Sequence, residues 1–264
     1  MGIKFCSLSS GSSGNCQYIE TDNSKILVDS GFSGKKTQEL LKTIDVSPAD
    51  LDAILVTHEH IDHIKGVGVL SRRFDLPIYA NANTWVGMEG KIGDIKEKNT
   101  KIFTTDSFFD LKDLTIFPVS TFHDANEPVG YILFYKGVKI SIVTDTGFIS
   151  DNIVDKIKDS NLYFLESNHD EFMLKEGLYP WHLKRRILSA QGHLSNEDAG
   201  ETLSNILKGN GEKVILAHLS KDNNVPELAM STVRDILTKK GLDVEKDIDL
   251  GLSFRDRTTC VYEF

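Results

Sequence analysis

Short apolar runs rich in β-branched residues recur along the chain, each bounded by polar or turn-forming positions. They are IKFCSL (3–8), QYIET (17–21), KILVDS (25–30), AILVT (53–57), LTIFPVS (114–120), GYILFY (130–135), VKISIVTD (138–145), LYFLES (162–167) and KVILAH (213–218). Their length and composition predict strands. Helical periodicity occupies about 35–44, 65–74, 150–158, 180–190, 196–208 and 227–240. Strands dominate the first part and alternate with helices in the second, which predicts sheet packed on sheet with helices outside. The expected fold is therefore a four-layer αββα sandwich of the α/β class. No repeat, low-complexity tract or linker divides the chain, so residues 1–264 are expected to form one domain.

Three of the apolar runs end alike: AILVT runs into His58, ISIVT into Asp145 and VILA into His218. Buried strands that each deliver a potential ligand at the C-terminal end gather those ligands along one edge of the sandwich. Composition permits this picture without choosing a chemistry. A hydrophobic share of 40% over 264 residues is enough to bury a substantial core. The first residues, MGIKFCSLSSGSSG, lack a basic segment followed by an apolar one, and no window approaches the roughly 18 apolar residues a membrane span needs. A cytoplasmic protein with no membrane partner is expected. Cys6, Cys16 and Cys260 lack CxxC spacing and are expected to be reduced core residues. A net charge of −9 argues against a globally basic nucleic-acid-coating surface but leaves room for a local cationic groove.

The densest chemistry lies in THEHIDH, 57–63, which holds three of the eight histidines. In a helix His58 and His60 would lie about 200° apart, whereas extended or looping backbone points an i, i+2 pair to one side. A loop after a strand therefore suits His58 and His60 as ligands of one ion, with Asp62 and His63 turned toward a second. Neither pair closes a shell, because a catalytic ion takes about three protein ligands and keeps a position for water. His123, Asp145 and His218 fill the deficit. The expected assignment is His58, His60 and His123 on one ion, Asp62, His63 and His218 on the other, and Asp145 bridging both. Imidazole and carboxylate donors accept zinc, manganese or iron.

HxHxDH followed by distant His, Asp and His resembles the metallo-β-lactamase-fold hydrolases, matched here by residues 57–63, His123, Asp145 and His218. The longer strings SLSSGSSGN (7–15), HDANEPVGY (123–131), LESNHD (165–170), GHLSNEDAG (192–200) and AHLSKDNN (217–224) resemble its YycJ (WalJ)-like branch. The resemblance implies the αββα fold and a two-metal hydrolase. By branch, it implies a phosphodiesterase acting on DNA as an exonuclease from 5′ ends, with a metal-bridging hydroxide as nucleophile.

Two ions serve phosphodiesters, thioesters, lactones and β-lactams alike. A thioester or lactone hydrolase and a cyclic phosphodiesterase therefore stay open on these ligands alone. QGHLSNEDAG bears on the choice: Ser195 followed by Asp198 has the form of a capping box, which puts His193 just before a helix N-terminus that favours an anion. By resemblance to ribonuclease Z-like enzymes, His193 assists at the scissile phosphate, so His193 and the ligand Asp62 are the expected catalytic residues. The glycine-rich turn at 7–15 can form an anion nest, and its family position places Ser12, Ser13 and Asn15 beside the metals. His169 is expected to bind substrate, orient a ligand or cap the following helix. Lys184 and Arg185, in the basic run Lys184–Arg186, are expected to hold a nucleic-acid backbone if that helix lies at the mouth of the site.

Overall fold

The computed structural model describes residues 2–264. Its first strands are β1 (Lys4–Ser9), β2 (Cys16–Glu20), β3 (Lys25–Val28), β4 (Ala53–Leu55), β5 (Ile78–Asn81) and β6 (Thr100–Phe103). The later ones are β7 (Phe109–Leu111), β8 (Leu114–Ser120), β9 (Val129–Tyr135), β10 (Val138–Val143), β11 (Leu162–Glu166), β12 (Glu212–Ala217), β13 (Ile248–Leu252) and β14 (Tyr262–Glu263). The helices are α1 (Gly34–Lys42), α2 (Ile61–Ile64), α3 (Val67–Phe74), α4 (Ala82–Met88), α5 (Asp151–Ile157), α6 (Glu171–Glu176), α7 (Trp181–Ile187), α8 (Asn196–Ile206) and α9 (Pro226–Lys239). Among the described residues no helix is long and apolar enough to cross a membrane.

Two seven-stranded sheets run β14-β1-β2-β3-β4-β5-β6 and β13-β12-β11-β10-β9-β8-β7. Both change from antiparallel to parallel pairing partway across, at β3/β4 in one and at β10/β11 in the other. Successive side chains alternate between faces, and both faces are apolar. Phe5, Ile26, Val28, Leu55, Tyr131, Leu133, Ile142, Phe164 and Ile215 fill the central layer between the sheets. Cys6, Leu8, Tyr18, Leu27 and Ile54 face the other way and pack with α1 and α3. Phe117, Ile132, Tyr163, Val214 and Leu216 pack with α5, α8 and α9. Three apolar layers between four structural layers make the αββα sandwich.

The nine predicted strands and six predicted helices all occur. Four of the five unanticipated strands, β6, β7, β13 and β14, are sheet edges, where pairing on one side only allows a short strand with a weak apolar pattern. Of the cysteines, Cys6 and Cys16 are buried free thiols as expected, but Cys260 is exposed because the C-terminal segment runs along the sheet edge. Phe164 joins the sheets, its ring 5.4 Å from that of Phe5 and almost wholly buried. Phe164→Ala is expected to cost about 3–5 kcal/mol of stability through lost burial and a residual cavity, read from denaturant unfolding.

Candidate metal centre and active site

Five polar residues leave the C-terminal ends of neighbouring strands: Asp29 after β3, His58 after β4, Asp145 after β10, Glu166 as the last residue of β11, and His218 after β12. These ends border the places where strand pairing switches, which is where open sheets leave a crevice. Asp29, Asp145 and His218 have left-handed backbone, with φ of 61°, 56° and 54°. That conformation costs a non-glycine residue about 1 kcal/mol or more, and its recurrence at three strand ends marks a constrained site. Gly31 permits the other close approach, since a Cβ there would come 1.7 Å from the Asp62 carbonyl oxygen.

His58, His60 and His123 form one cluster, with a donor atom of each within 4.8 Å of the others. Their hydrogen bonds decide which nitrogens face inward. Thr57 Oγ1 donates to Asp29 Oδ2 at 2.8 Å, so it accepts from His58 Nδ1 at 3.0 Å and leaves Nε2 as the lone pair. His60 Nε2 donates to the Asp124 carbonyl at 3.2 Å, leaving Nδ1. His123 Nδ1 donates to the Gly192 carbonyl at 3.0 Å, leaving Nε2. Burial, reinforced by His63, holds His58 well below the usual histidine pKa, and burial lowers His123. Both rings therefore keep the lone pair a metal needs.

Asp29 also serves His63, accepting from its Nδ1 at 2.8 Å. A carboxylate behind an imidazole fixes the ring and raises its basicity as a ligand. His63 Nε2 lies 3.5 Å from Asp145 Oδ2 and 3.8 Å from Asp62 Oδ2. His58, His63 and Asp145 form a second cluster. The third is Asp145, Glu166, His193 and His218, in which His218 Nδ1 stands 3.0 Å from Asp145 Oδ1 and 3.3 Å from Glu166 Oε1.

The charges of this half of the site are matched to a cation. Burial opposes protonation of His63 and His218, yet the carboxylates outweigh it. Asp145 and Asp29 hold His63 well above its usual range, and Asp145 with Glu166 pushes His218 up to about 10. Burial likewise opposes ionisation of Asp145, but His218 and His63 bring its pKa well below normal, and Glu166 falls to about 2 beside His193. His58 Nε2, both ring nitrogens of His218 and Asp145 Oδ2 are buried without an aligned hydrogen-bond partner. Buried donors with free lone pairs around anionic oxygens fit divalent ions, whose binding displaces the protons those histidines otherwise carry.

His193 lies at the edge of this cluster, partly exposed, and its Nδ1 donates to Glu166 Oε1 at 2.7 Å. The N-cap half of the expected capping box is present: Ser195 precedes α8, its Oγ accepts from the Asp198 amide at 3.0 Å, and the same hydroxyl donates to Asp198 Oδ2 at 2.8 Å. Glu166 Oε2 also accepts from the Thr146 amide at 2.9 Å, tying the Asp145 loop to the His193 loop.

The other expected residues divide sharply. Asn15 is buried, with Nδ2 3.0 Å from His63 Nε2 and Oδ1 accepting from the Gly11 amide at 2.9 Å. Ser12 and Ser13 sit exposed at the tip of the turn; it is Ser10 that reaches the cluster, its Oγ accepting from the His218 amide at 3.0 Å. His169 is buried, pairs with Ser195 as an isolated bridge and has both ring nitrogens unpartnered, with burial lowering its pKa to about 4. The basic run splits because consecutive helical residues point about 100° apart. Lys184 is buried and donates to the Lys175 carbonyl at 2.6 Å, so the structure sets it to join α7 to α6 rather than face a substrate. Arg185 is exposed and, among the described residues, unpaired. Arg186 grips Asp124 with Nη2 2.9 Å from Oδ1, and that oxygen is 3.3 Å from His123 Nε2. Glu59 is buried and accepts from the Asn126 amide at 2.8 Å, bracing the His123 loop.

Asp29, Thr57 and Glu166 were not anticipated. A signal for two of them was present: KILVDS and LYFLES are apolar runs that end on a carboxylate, the pattern that singled out His58, Asp145 and His218.

A family profile described as the metallo-beta-lactamase superfamily matches residues 10–218. The exodeoxyribonuclease YycJ of Bacillus anthracis is 44% identical over 250 residues, which cover 95% of each chain. The exodeoxyribonuclease WalJ of Streptococcus pneumoniae serotype 2 is 43% identical over 268 residues, 100% of this chain and 98% of the relative. Among solved structures, the metallo-beta-lactamase fold protein YhfI of Bacillus subtilis matches all of both chains with a TM-score of 0.75 at 17% identity. Human short-form tRNase Z matches 97% of this chain and 98% of its own with a TM-score of 0.65 at 15% identity. At such identities the structural likeness is one of fold.

Proposed function

The chain belongs to the metallo-beta-lactamase superfamily, and on that footing we propose that it is a two-metal phosphodiesterase that degrades DNA exonucleolytically in the 5′-to-3′ direction. His58, His60 and His123 would hold one ion, and Asp62, His63 and His218 the other, with Asp145 between them. Bound divalent ions acidify a water molecule and polarise the phosphodiester.

The observation that carries a phosphodiester over a thioester or lactone is the His193–Glu166 pair beside the capped start of α8. Glu166 fixes the ring through Nδ1 and balances the charge of the imidazolium form, whose Nε2–H then donates to the leaving oxygen. The positive end of the α8 dipole favours the negative charge of a phosphate nearby. DNA as the substrate is supported by the two exodeoxyribonucleases at 43–44% identity over nearly the whole chain.

The test is a cleavage panel of end-labelled single- and double-stranded DNA, RNA and a generic phosphodiester, each with Zn²⁺ or Mn²⁺. Progressive release of label from DNA 5′ ends is expected. Turnover of a thioester or lactone with no phosphodiester cleaved under any condition would replace this reading. Asp29→Ala is expected to weaken metal affinity about 10–100-fold, because His63 loses the carboxylate that orients it. Competition with a chelator measures this, and unchanged affinity would show that His63 needs no such support.

A further inference from the structure

A cleft of about 250 Å³ opens beside the histidine clusters. It shares Ser10 with the site, whose Oγ accepts from the His218 amide, and Leu219 and Ser220, directly following His218, form one wall. Ser253, Phe254 and Arg255 form another part of the wall. That part is anchored: Ser10 N donates to the Phe254 carbonyl at 2.8 Å and Ser9 Oγ to the Arg255 carbonyl at 2.7 Å. Gly11, at a φ of 141°, packs on the Arg255 stem so closely that a Cβ there would come 2.8 Å from Cγ.

The charges of the cleft are incomplete. Arg255 is half-buried, and its Nη1 is shielded from solvent without a hydrogen-bond partner. Among the described residues neither Arg255 nor Lys221, the second cation of the lining, forms an ion pair; the one acid in the lining, Asp256, is exposed. Pro226 also lines the cleft as the first residue of α9, a 14-residue helix whose N-cap Val225 provides no side-chain cap, so the positive end of the helix faces the same space. A guanidinium nitrogen shielded from water without a partner is costly to leave unpaired, and an anion beside it supplies both the acceptor and the counter-charge.

We propose that this cleft is a phosphate-binding subsite for the nucleic-acid strand, with Arg255 as its anchor and Lys221 and the start of α9 in support. The identity of the strand rests on the phosphodiesterase reading; the anion site does not. A phosphate held there fixes the strand beside the metal centre, and the phosphate is either the terminal monoester or a diester within the strand.

Fluorescence anisotropy of 3′-labelled duplex DNA with a 5′-phosphate or a 5′-hydroxyl, on metal-loaded protein in a His193→Ala background, tests this. Arg255→Gln is expected to weaken binding of the phosphorylated duplex about tenfold or more, with Lys221→Gln acting in the same direction. Loss confined to the phosphorylated end identifies the monoester, and equal loss on both identifies an internal diester. Unchanged binding of both overturns the proposal. Thermal melting of the zinc-loaded protein in sulfate gives a reading independent of nucleic acid. Sulfate stabilisation of the wild type that disappears in Arg255→Gln keeps the cleft even if no DNA is cleaved. DNA cleavage with no effect of Arg255→Gln on either probe keeps the nuclease and removes the cleft.

Discussion

His193→Ala is expected to lower kcat on phosphodiesters by about 10²–10⁴-fold, the range in which a positioned proton donor contributes, while bound metal stays at the wild-type level. The expectation follows from what His193 touches. Its Nδ1 is committed to Glu166 and the ring is partly exposed at the rim of the cluster, so the other nitrogen is the one available to substrate. Glu166→Gln is expected to reduce kcat less severely, since an amide still accepts from Nδ1 but no longer balances the imidazolium charge. Turnover of an activated ester whose leaving group needs no proton should be far less sensitive to either change. Full activity of His193→Ala with native metal content would remove the residue from the mechanism; metal lost in parallel with activity would instead reassign it as a ligand.

Asp145→Asn carries the second large effect, on both metal retention and stability. Asparagine tolerates the left-handed backbone that Asp145 adopts, so the substitution removes charge with little strain. Bound metal should fall sharply, read by elemental analysis after dialysis. In metal-stripped protein the loss leaves His63 and His218 without the carboxylate lying between them, and breaking a buried pair in this way costs about 3–5 kcal/mol.

The pH dependence has a definite sign. His218 has a folded pKa raised to about 10, so its contribution to the metal-stripped wild type is fully present below the unfolded value near 6.5 and is lost as pH rises toward 10. The depressed carboxylates report the same contacts from the acid side, with stability lost as pH falls below about 4. Metal-stripped wild type should therefore weaken from about pH 6.5 upward in denaturant titrations, and Asp145→Asn should show a much flatter profile. Identical alkaline slopes for the two proteins would refute the assigned pairing.

How far the chain announced this site depends on which physical rule applied. Apolar runs with β-branched residues marked every central strand but β5, because burial on both faces leaves a continuous apolar signature, whereas IYAN in β5 is too short and too mixed to carry one. Edge strands such as TKIF and FDL carry no such signature, since one flank pairs with nothing and polar residues cost little there. THEHIDH and the strand-ending His58, Asp145 and His218 were legible because a strand followed by a ligand is a local pattern. Lys184 shows the reverse case: its basic neighbourhood pointed to a substrate contact, whereas helical rotation turned it inward onto a carbonyl.

The sequence by itself determined the layered architecture and the chemical type of the site, since periodicity and residue identity are properties of the chain alone. Tertiary structure alone decided which nitrogen each imidazole turns inward, that Asp29 braces His63 directly and His58 through Thr57, that Glu166 stands behind His193, and that Arg255 lies without an ion-pair partner in the cleft lined by Leu219. Those facts depend on distances between strand ends far apart in sequence. Side-chain hydrogen bonds and Coulomb interactions act over a few ångströms in space, with no regard to separation along the chain.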